Sequence, residues 1–348
     1  MPTLNYLEAG GSPFEMGQEI GRFGAAAMQD YARLSPAWAT VMHHRGTPAA
    51  QAMAALVRAR FPRIHDELQG LAAGLELPFE DVFLWNSRGD LWAMAPDGCT
   101  TVQEAGALRR ITHNEDGDPA FAGHCAIAVC TVEGGASFAS FVYPGSLPGH
   151  TFAVTEGGLA MTVNNLRCLN VRPGVPRMVI TRALLDAASL QEVRALLGSN
   201  ERAGGFHLTV AHRAEPELLS VEFSSEACSI VGIAGRRLHA NHALHASLGD
   251  LPQIVTGSSR HRQLRGDALL ADGDDPLHLL ADSGDASFPI LRADPADSDG
   301  ENTMATADIR IGASRIEWEV YEHPGQLPRF HMIDGHASTE KSQRAHPA

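Results

Sequence analysis

The run Pro96-Asp97-Gly98-Cys99-Thr100-Thr101 divides this chain into two kinds of sequence. Ahead of it, apolar residues recur at helical spacing. Glu15 to Arg33 reads as one helix, and Ala49 to Leu77 as a second that Pro62 kinks or restarts. Glu80 to Ala93 reads as a third, with Pro78 just ahead of it and Val82, Phe83, Leu84 and Leu91 on its inner side. Beyond Gly98 the pattern changes to short apolar runs separated by glycine-rich turns. Ala120 to Val132, Ala136 to Val142, Phe152 to Thr155 and Leu159 to Val163 read as strands, and Val175 to Leu197 as a central helix. Strands resume at Phe206 to Ala211, Leu218 to Phe223, Ala227 to Ile233 and Arg237 to His239. A helix over Ser258 to Leu270 and strands over Thr303 to Ile311 and Arg315 to Tyr321 complete the reading. Strand runs flanking helices without strict alternation predict an α+β fold of two mainly antiparallel sheets with helices outside. The polar, aperiodic residues after Gly335 read as a disordered tail.

Composition narrows the function. The 348 residues carry 27 Lys+Arg against 41 Asp+Glu, a net charge of −14, which disfavours general binding to nucleic acid phosphates. No apolar stretch approaches the roughly 20 residues of a membrane span, and the N-terminal residues lack the pattern of a secretory signal. Cys99, Cys125, Cys130, Cys168 and Cys228 are odd in number and lack CxxC spacing, which suits free thiols in a cytoplasmic protein. No GxGxxG or GxxxxGK[ST] run cradles a nucleotide, so no cofactor is expected. His239, His242 and His245 recur every three residues at a strand exit, a poor zinc spacing, and no metal is expected.

Cys99 is the chemically suggestive residue. Glycine before it permits a strained or close-approach backbone, and the threonines after it suit a strand start. A thiol there could attack the Gly98 carbonyl and cut the chain, leaving Cys99 as a new N-terminus. Its α-amine, titrating near about 7.7–8.0, would then serve as base for its own thiol.

From this point the chain resembles the acyl-coenzyme A:6-aminopenicillanic acid (isopenicillin N) acyltransferases and their hydrolase relatives, a self-processing cysteine family of N-terminal-nucleophile (Ntn) hydrolases. The matching residues run in order. They are Gly11-Ser12-Pro13-Phe14-Glu15-Met16-Gly17 with Gly21, Leu84-Trp85-Asn86-Ser87-Arg88, Asp97 to Thr101, and His113-Asn114-Glu115-Asp116. Gly158 to Asn164, Gly174-Val175-Pro176, Val221-Glu222-Phe223, His239-Ala240-Asn241-His242 and Ser259-Arg260-His261 follow.

The resemblance implies an αββα sandwich, a leader of residues 1–98 that becomes a small subunit, and a catalytic core of residues 99–335. It makes Gly98–Cys99 the self-cleavage bond, Cys99 the nucleophile, Asp116 the carboxylate beside the new amine, and Asn241 the amide at the oxyanion site. The implied reaction is hydrolysis of a linear amide in a small N-acyl substrate through a Cys99 thioester. Transfer of an acyl group from a thioester such as acyl-coenzyme A to an amine is the alternative, and an unprocessed binding protein the third reading. Two departures fall where a substrate pocket is expected. Glu115 and Gly117 stand where the acyltransferases carry a tryptophan and an aromatic, and Asp297 to Asn302 lacks their arginine, Arg292 being the nearest upstream. The expectation is a pocket with one cation fewer and one carboxylate more, unsuited to acidic substrates.

Overall fold

The structure is a computed structural model that describes residues 3–95, 97–198, 201–294 and 296–338. In chain order, β1 (Asn5–Gly11) leads into five helices: α1 (Pro13–Leu34), α2 (Pro36–Met42), α3 (Pro48–Arg60), α4 (Pro62–Leu75) and α5 (Phe79–Trp85), with a single turn α6 (Arg88–Leu91) behind them. Next come β2 (Asp97–Glu104), β3 (Arg109–Gly117), β4 (Ala126–Val132), β5 (Phe138–Val142), β6 (Phe152–Thr155) and β7 (Leu159–Asn165). Helices α7 (Arg177–Leu184) and α8 (Leu190–Leu197) precede β8 (Phe206–His212), β9 (Leu218–Phe223), β10 (Cys228–Gly232) and β11 (Arg236–His239). Helices α9 (Gly257–Asp272) and α10 (Pro276–Leu280) precede β12 (Asn302–Ile311), β13 (Ile316–Tyr321), β14 (Phe330–Ile333) and β15 (His336–Ala337).

One sheet runs β1-β4-β5-β6-β7-β8-β9-β10 and the other β11-β2-β3-β12-β13-β14-β15. Every pairing is antiparallel except β1 with β4. Helices α1 and α8 lie on the first sheet, α9 and α10 on the second, and β2 faces β7 between them. This is the αββα order that the resemblance implies. Phe152 of β6 meets Trp318 of β13 edge to face across the inter-sheet core, with ring centroids 6.3 Å apart. β7 is covered on both faces, so all seven of its positions are buried, Thr162, Asn164 and Asn165 included.

The first long helix starts where the sequence signals it. Ser12 caps α1, and the Glu15 side chain returns the bond to the Ser12 backbone. Gly17 and Gly21 let α1 press onto α4, since a Cβ on Gly17 would overlap the Glu67 carbonyl.

Local breakers cut three of the expected helices. Pro62 stands at the first position of α4, so the second helix restarts as two elements rather than bending. The third becomes α5 and α6, and the central helix stops at Leu184 before Ser189 caps α8. The leader is not wholly helical. Asn5–Gly11 has little apolar alternation and becomes strand only because β4 lends it a parallel partner, an interaction more than a hundred residues away in sequence. Of the expected tail, His336 and Ala337 pair with β14, while residues 339–348 lie outside the described residues.

Candidate active site

Cys99 sits inside a strand rather than at its start. In the β2–β3 ladder Gly98 pairs with Asp116 and Cys99 with Glu115. Gly98 is absent from the glycines with left-handed backbone, so the strain expected at the scissile bond is not seen. Glycine is needed there for space instead. A Cβ on Gly98 would overlap the Glu301 carboxylate and crowd Arg292.

Side chains on neighbouring positions of a strand point to opposite faces. On one face the Cys99 thiol, 3% exposed, lies 3.8 Å from Glu115 Oε2. That same oxygen is 3.1 Å from His113 Nε2, and Glu115 Oε1 accepts from the Tyr143 hydroxyl at 3.0 Å. Burial pushes the thiol well above its ordinary pKa, and the carboxylates of Glu115 and Asp116 push it further. The Asn165 backbone N–H acts in the opposite sense. Burial and the charge of Asp97 raise the Glu115 carboxyl well above the usual range, against the Tyr143 hydrogen bond. Gly117 makes this contact possible, because any side chain there would occupy the space of the Tyr143 hydroxyl. Glu115 and Gly117 therefore act together, one supplying the carboxyl and the other admitting its partner.

On the opposite face Asp116 Oδ1 accepts from Thr303 Oγ1 at 2.7 Å. Its buried Oδ2 accepts no hydrogen bond and lies 3.9 Å from Arg292 Nη1. Burial raises the Asp116 pKa, opposed chiefly by the charges of Arg292 and Arg262. Arg292 is 1% exposed and pairs with Glu301 and Asp297, and Arg167 closes on Glu301 at 2.8 Å. The cation expected to be missing is thus present. The loop before β12 turns Arg292 back toward Asp116, so the missing-cation half of the argument against acidic substrates falls, while the added Glu115 carboxyl stands.

Asn241 follows β11. Its backbone N–H donates to Ser259 Oγ at 3.0 Å, which ties it to the first turn of α9. Its side-chain oxygen accepts from the Cys99 backbone N–H at 3.1 Å and from Arg262 at 2.6 Å, and its Nδ2 donates to the Asn165 carbonyl at 3.2 Å. Arg262 also donates to the Cys99 carbonyl and to Thr100 Oγ1, each at 2.7 Å. Cys99, Glu115, Asp116 and Asn241 are thus brought together, and Gly98 and Gly117 shape the space between them.

Sequence reading missed His113, Tyr143 and Arg262 as members of the site. Arg262 had a weak signal, since Ser258, Ser259, Arg262, Gln263 and Gly266 form a buried stripe at helical spacing, but the stripe is polar. His239 instead bonds Glu222 at 2.9 Å and stacks on His207, and His245 lies between Ser220 and Ser229. The three regularly spaced histidines thus take separate partners, His242 bonding Ser259 Oγ at 2.8 Å.

A surface cavity of about 430 Å³ opens beside α1, lined by Tyr31, Leu34, Asp118 and His124 among others. Asp118 also lines a small slot leading toward Asp97 and Tyr143. Among the described residues no helix is long and apolar enough to cross a membrane.

Comparison with known proteins bears on the family of the chain. The model of the acyl-coenzyme A:6-aminopenicillanic acid acyl-transferase family matches residues 102–323, starting just after Cys99 and taking in Glu115, Asp116, Asn241 and Arg292. The beta-alanyl-dopamine/carcinine hydrolase of Drosophila melanogaster is 26% identical over 214 residues, 54% of this chain. The chain spans only 55% of that relative's length. The 40 kDa form of the acyl-coenzyme A:6-aminopenicillanic-acid acyltransferase of Emericella nidulans is 25% identical over 273 residues, 73% of this chain and 74% of that protein. A conjugated bile acid hydrolase variant from Clostridium perfringens overlays with a TM-score of 0.42 at 12% identity, over 71% of this chain and 99% of that one. With a family match covering more than half of its residues, the chain belongs to the acyl-coenzyme A:6-aminopenicillanic acid acyl-transferase family.

Proposed function

We propose that this protein is a cysteine amidohydrolase that matures by cutting its own Gly98–Cys99 bond and then hydrolyses a linear amide of a small N-acyl substrate. The observation that carries the reading is the convergence of a thiol, an amide side chain and an unpartnered carboxylate oxygen on one peptide bond in a buried site. After cleavage the freed Cys99 amine sits beside Asp116, whose Oδ2 is available to an ammonium. The thiolate attacks the substrate carbonyl, the Asn241 amide and the Asn165 backbone N–H donate to the oxyanion, and the amine protonates the leaving group. Water then resolves the Cys99 thioester, with no cofactor or metal required. The residues 1–98 and 99–348 remain together as a heterodimer, held by β1 in the first sheet and by α1 and α4. Cytoplasmic residence is supported by the five unpaired thiols.

Transfer to an amine acceptor is the second reading, favoured by the longer match to the acyltransferase relative. Titrating an amine into a reaction with an N-acyl amide or acyl thioester separates the two, because a transferase diverts product from free acid to new amide.

The first test is intact mass under denaturing conditions. It is expected to show a 98-residue fragment ending at Gly98 and a 250-residue fragment beginning at Cys99. A fully active single chain would end the self-processing reading. Asn241→Ala is expected to fold with a lowered Tm, because buried donors of Cys99 and Arg262 lose their acceptor, and to lose about 10²–10³ in kcat, the usual effect of removing one oxyanion donor. Normal kcat in the folded variant removes Asn241 from the mechanism.

A further inference from the structure

A maturing Ntn enzyme faces one step that its finished active site does not solve. Before cleavage the Cys99 nitrogen is an amide, engaged as a donor to Asn241, and cannot accept the thiol proton. Some other group must. We propose that Glu115, backed by His113, is the proton shuttle of self-cleavage. The inference rests on the self-processing reading above.

The hydrogen bonds assign the protons. Asn164 Nδ2 donates to the His239 carbonyl at 3.0 Å, so Asn164 Oδ1 is an acceptor. The Thr101 hydroxyl gives its single proton to that oxygen at 2.7 Å. Thr101 Oγ1, 2.8 Å from His113 Nδ1, must therefore accept from an N–H there. Burial pushes the His113 imidazole down to about 3, so the ring is neutral and its Nε2 carries only a lone pair. The 3.1 Å contact from Nε2 to Glu115 Oε2 is then an O–H···N bond from a protonated carboxyl. A second lone pair of the same oxygen faces the Cys99 thiol at 3.8 Å, and Tyr143 holds the other carboxyl oxygen. The donor atoms of Cys99, Glu115 and His113 all lie within 4.8 Å of one another. This is a continuous path from sulfur to an imidazole whose tautomer is set from behind.

The chemistry balances along that path. The S–H bond breaks and its proton passes to Glu115 Oε2 as the carboxyl proton passes to His113 Nε2. The sulfur electron pair forms the S–C bond to the Gly98 carbonyl carbon, whose π pair moves onto oxygen. The developing anion offsets the imidazolium, so the shuttle works only while that anion exists. When the oxyanion collapses, the C–N bond breaks and its electron pair stays on the Cys99 nitrogen, which takes the proton back through Glu115. The product is a Gly98 thioester of Cys99 with a free amine. Water hydrolyses it to the Gly98 carboxyl group and restores the thiol. Thereafter the amine takes over as base, and Glu115 is no longer essential to proton transfer.

The test is a processing time course of the full chain, followed by intact mass, beside a melting curve of each variant. Glu115→Gln is expected to stay folded and to process about 10²–10⁴-fold more slowly, the usual effect of losing a general base. Tyr143→Phe, which leaves the acceptor facing the thiol, is expected to process at close to the wild-type rate. Normal processing of Glu115→Gln overturns the shuttle, as does equal impairment in Tyr143→Phe, which would make the network a scaffold. Should Glu115→Gln fail to fold, His113→Gln takes its place. Slow processing in a folded chain supports the shuttle, and a wild-type time course refutes it. Cys99→Ala separates the two levels of inference. If it is still cut, self-cleavage by the thiol is wrong. If it stays intact while Glu115→Gln is cut normally, only the shuttle fails.

Discussion

Cys99→Ala is expected to remain one uncut 348-residue chain and to lose amide turnover by roughly 10⁴-fold or more, the scale seen when a covalent nucleophile is removed. The loss should fall on chemistry and not on folding. The contact of the thiol to Glu115 is long, 3.8 Å, while the Cys99 backbone is held by Asn241, Arg262 and the β2–β3 ladder, none of which needs the sulfur. Intact mass, a product assay and a melting curve settle the matter together. A variant that is cut on schedule, or that turns over at the parental rate with an unchanged melt, would place the nucleophile elsewhere.

Arg292→Met should produce the largest loss of stability. Arg292 is the counter-charge to the fully buried Glu301 and the partly buried Asp297 and lies beside Asp116, and methionine fills much of its volume without its charge. Removing one partner of a buried ion pair typically costs about 3–5 kcal/mol. At a few degrees per kcal/mol for a chain of this size, Tm should fall by roughly 6–15 °C. The pH dependence has a definite sign. Even with its arginines, Glu301 has a pKa raised above its ordinary value by burial. Its ionisation therefore opposes folding, with no penalty below the unfolded carboxyl pKa and a growing one as pH rises through the folded value. Losing Arg292 widens that gap, so the deficit of the variant should be larger at pH 8 than at pH 5. A melt like that of the wild type, or a deficit larger at pH 5, would show that Arg167 alone neutralises Glu301.

These two variants probe opposite faces of the same strand, and the faces differed in how far sequence revealed them. The change from helical to strand periodicity at Gly98 is local, and so are the Ser12 cap of α1 and the proline that starts α4. Backbone preferences and short-range hydrogen bonds act over a few residues, so they can be read from neighbours in the chain. The family motifs extend this reading, because Cys99, Asp116 and Asn241 each stand in a recognisable run.

What tertiary structure decided is which distant groups share one buried volume. Strand register sets Glu115 opposite Cys99, and the strand pleat sends Asp116 to the other face, toward Arg292 and Glu301. Glu115 read as a pocket-lining residue from its motif, yet it closes on the thiol because Gly117 leaves room for a tyrosine 26 positions further along. Arg262 and Arg292 lie in segments with no apolar pattern of their own, and both are drawn into a buried site where their charges answer carboxylates and carbonyls. By itself the sequence determined most of the elements and singled out Gly98–Cys99 as the candidate scissile bond and Cys99 as the candidate nucleophile. The proton path and the buried charge balance arise only where two sheets close, because burial turns weak pairwise electrostatics into a constraint that chain order does not carry.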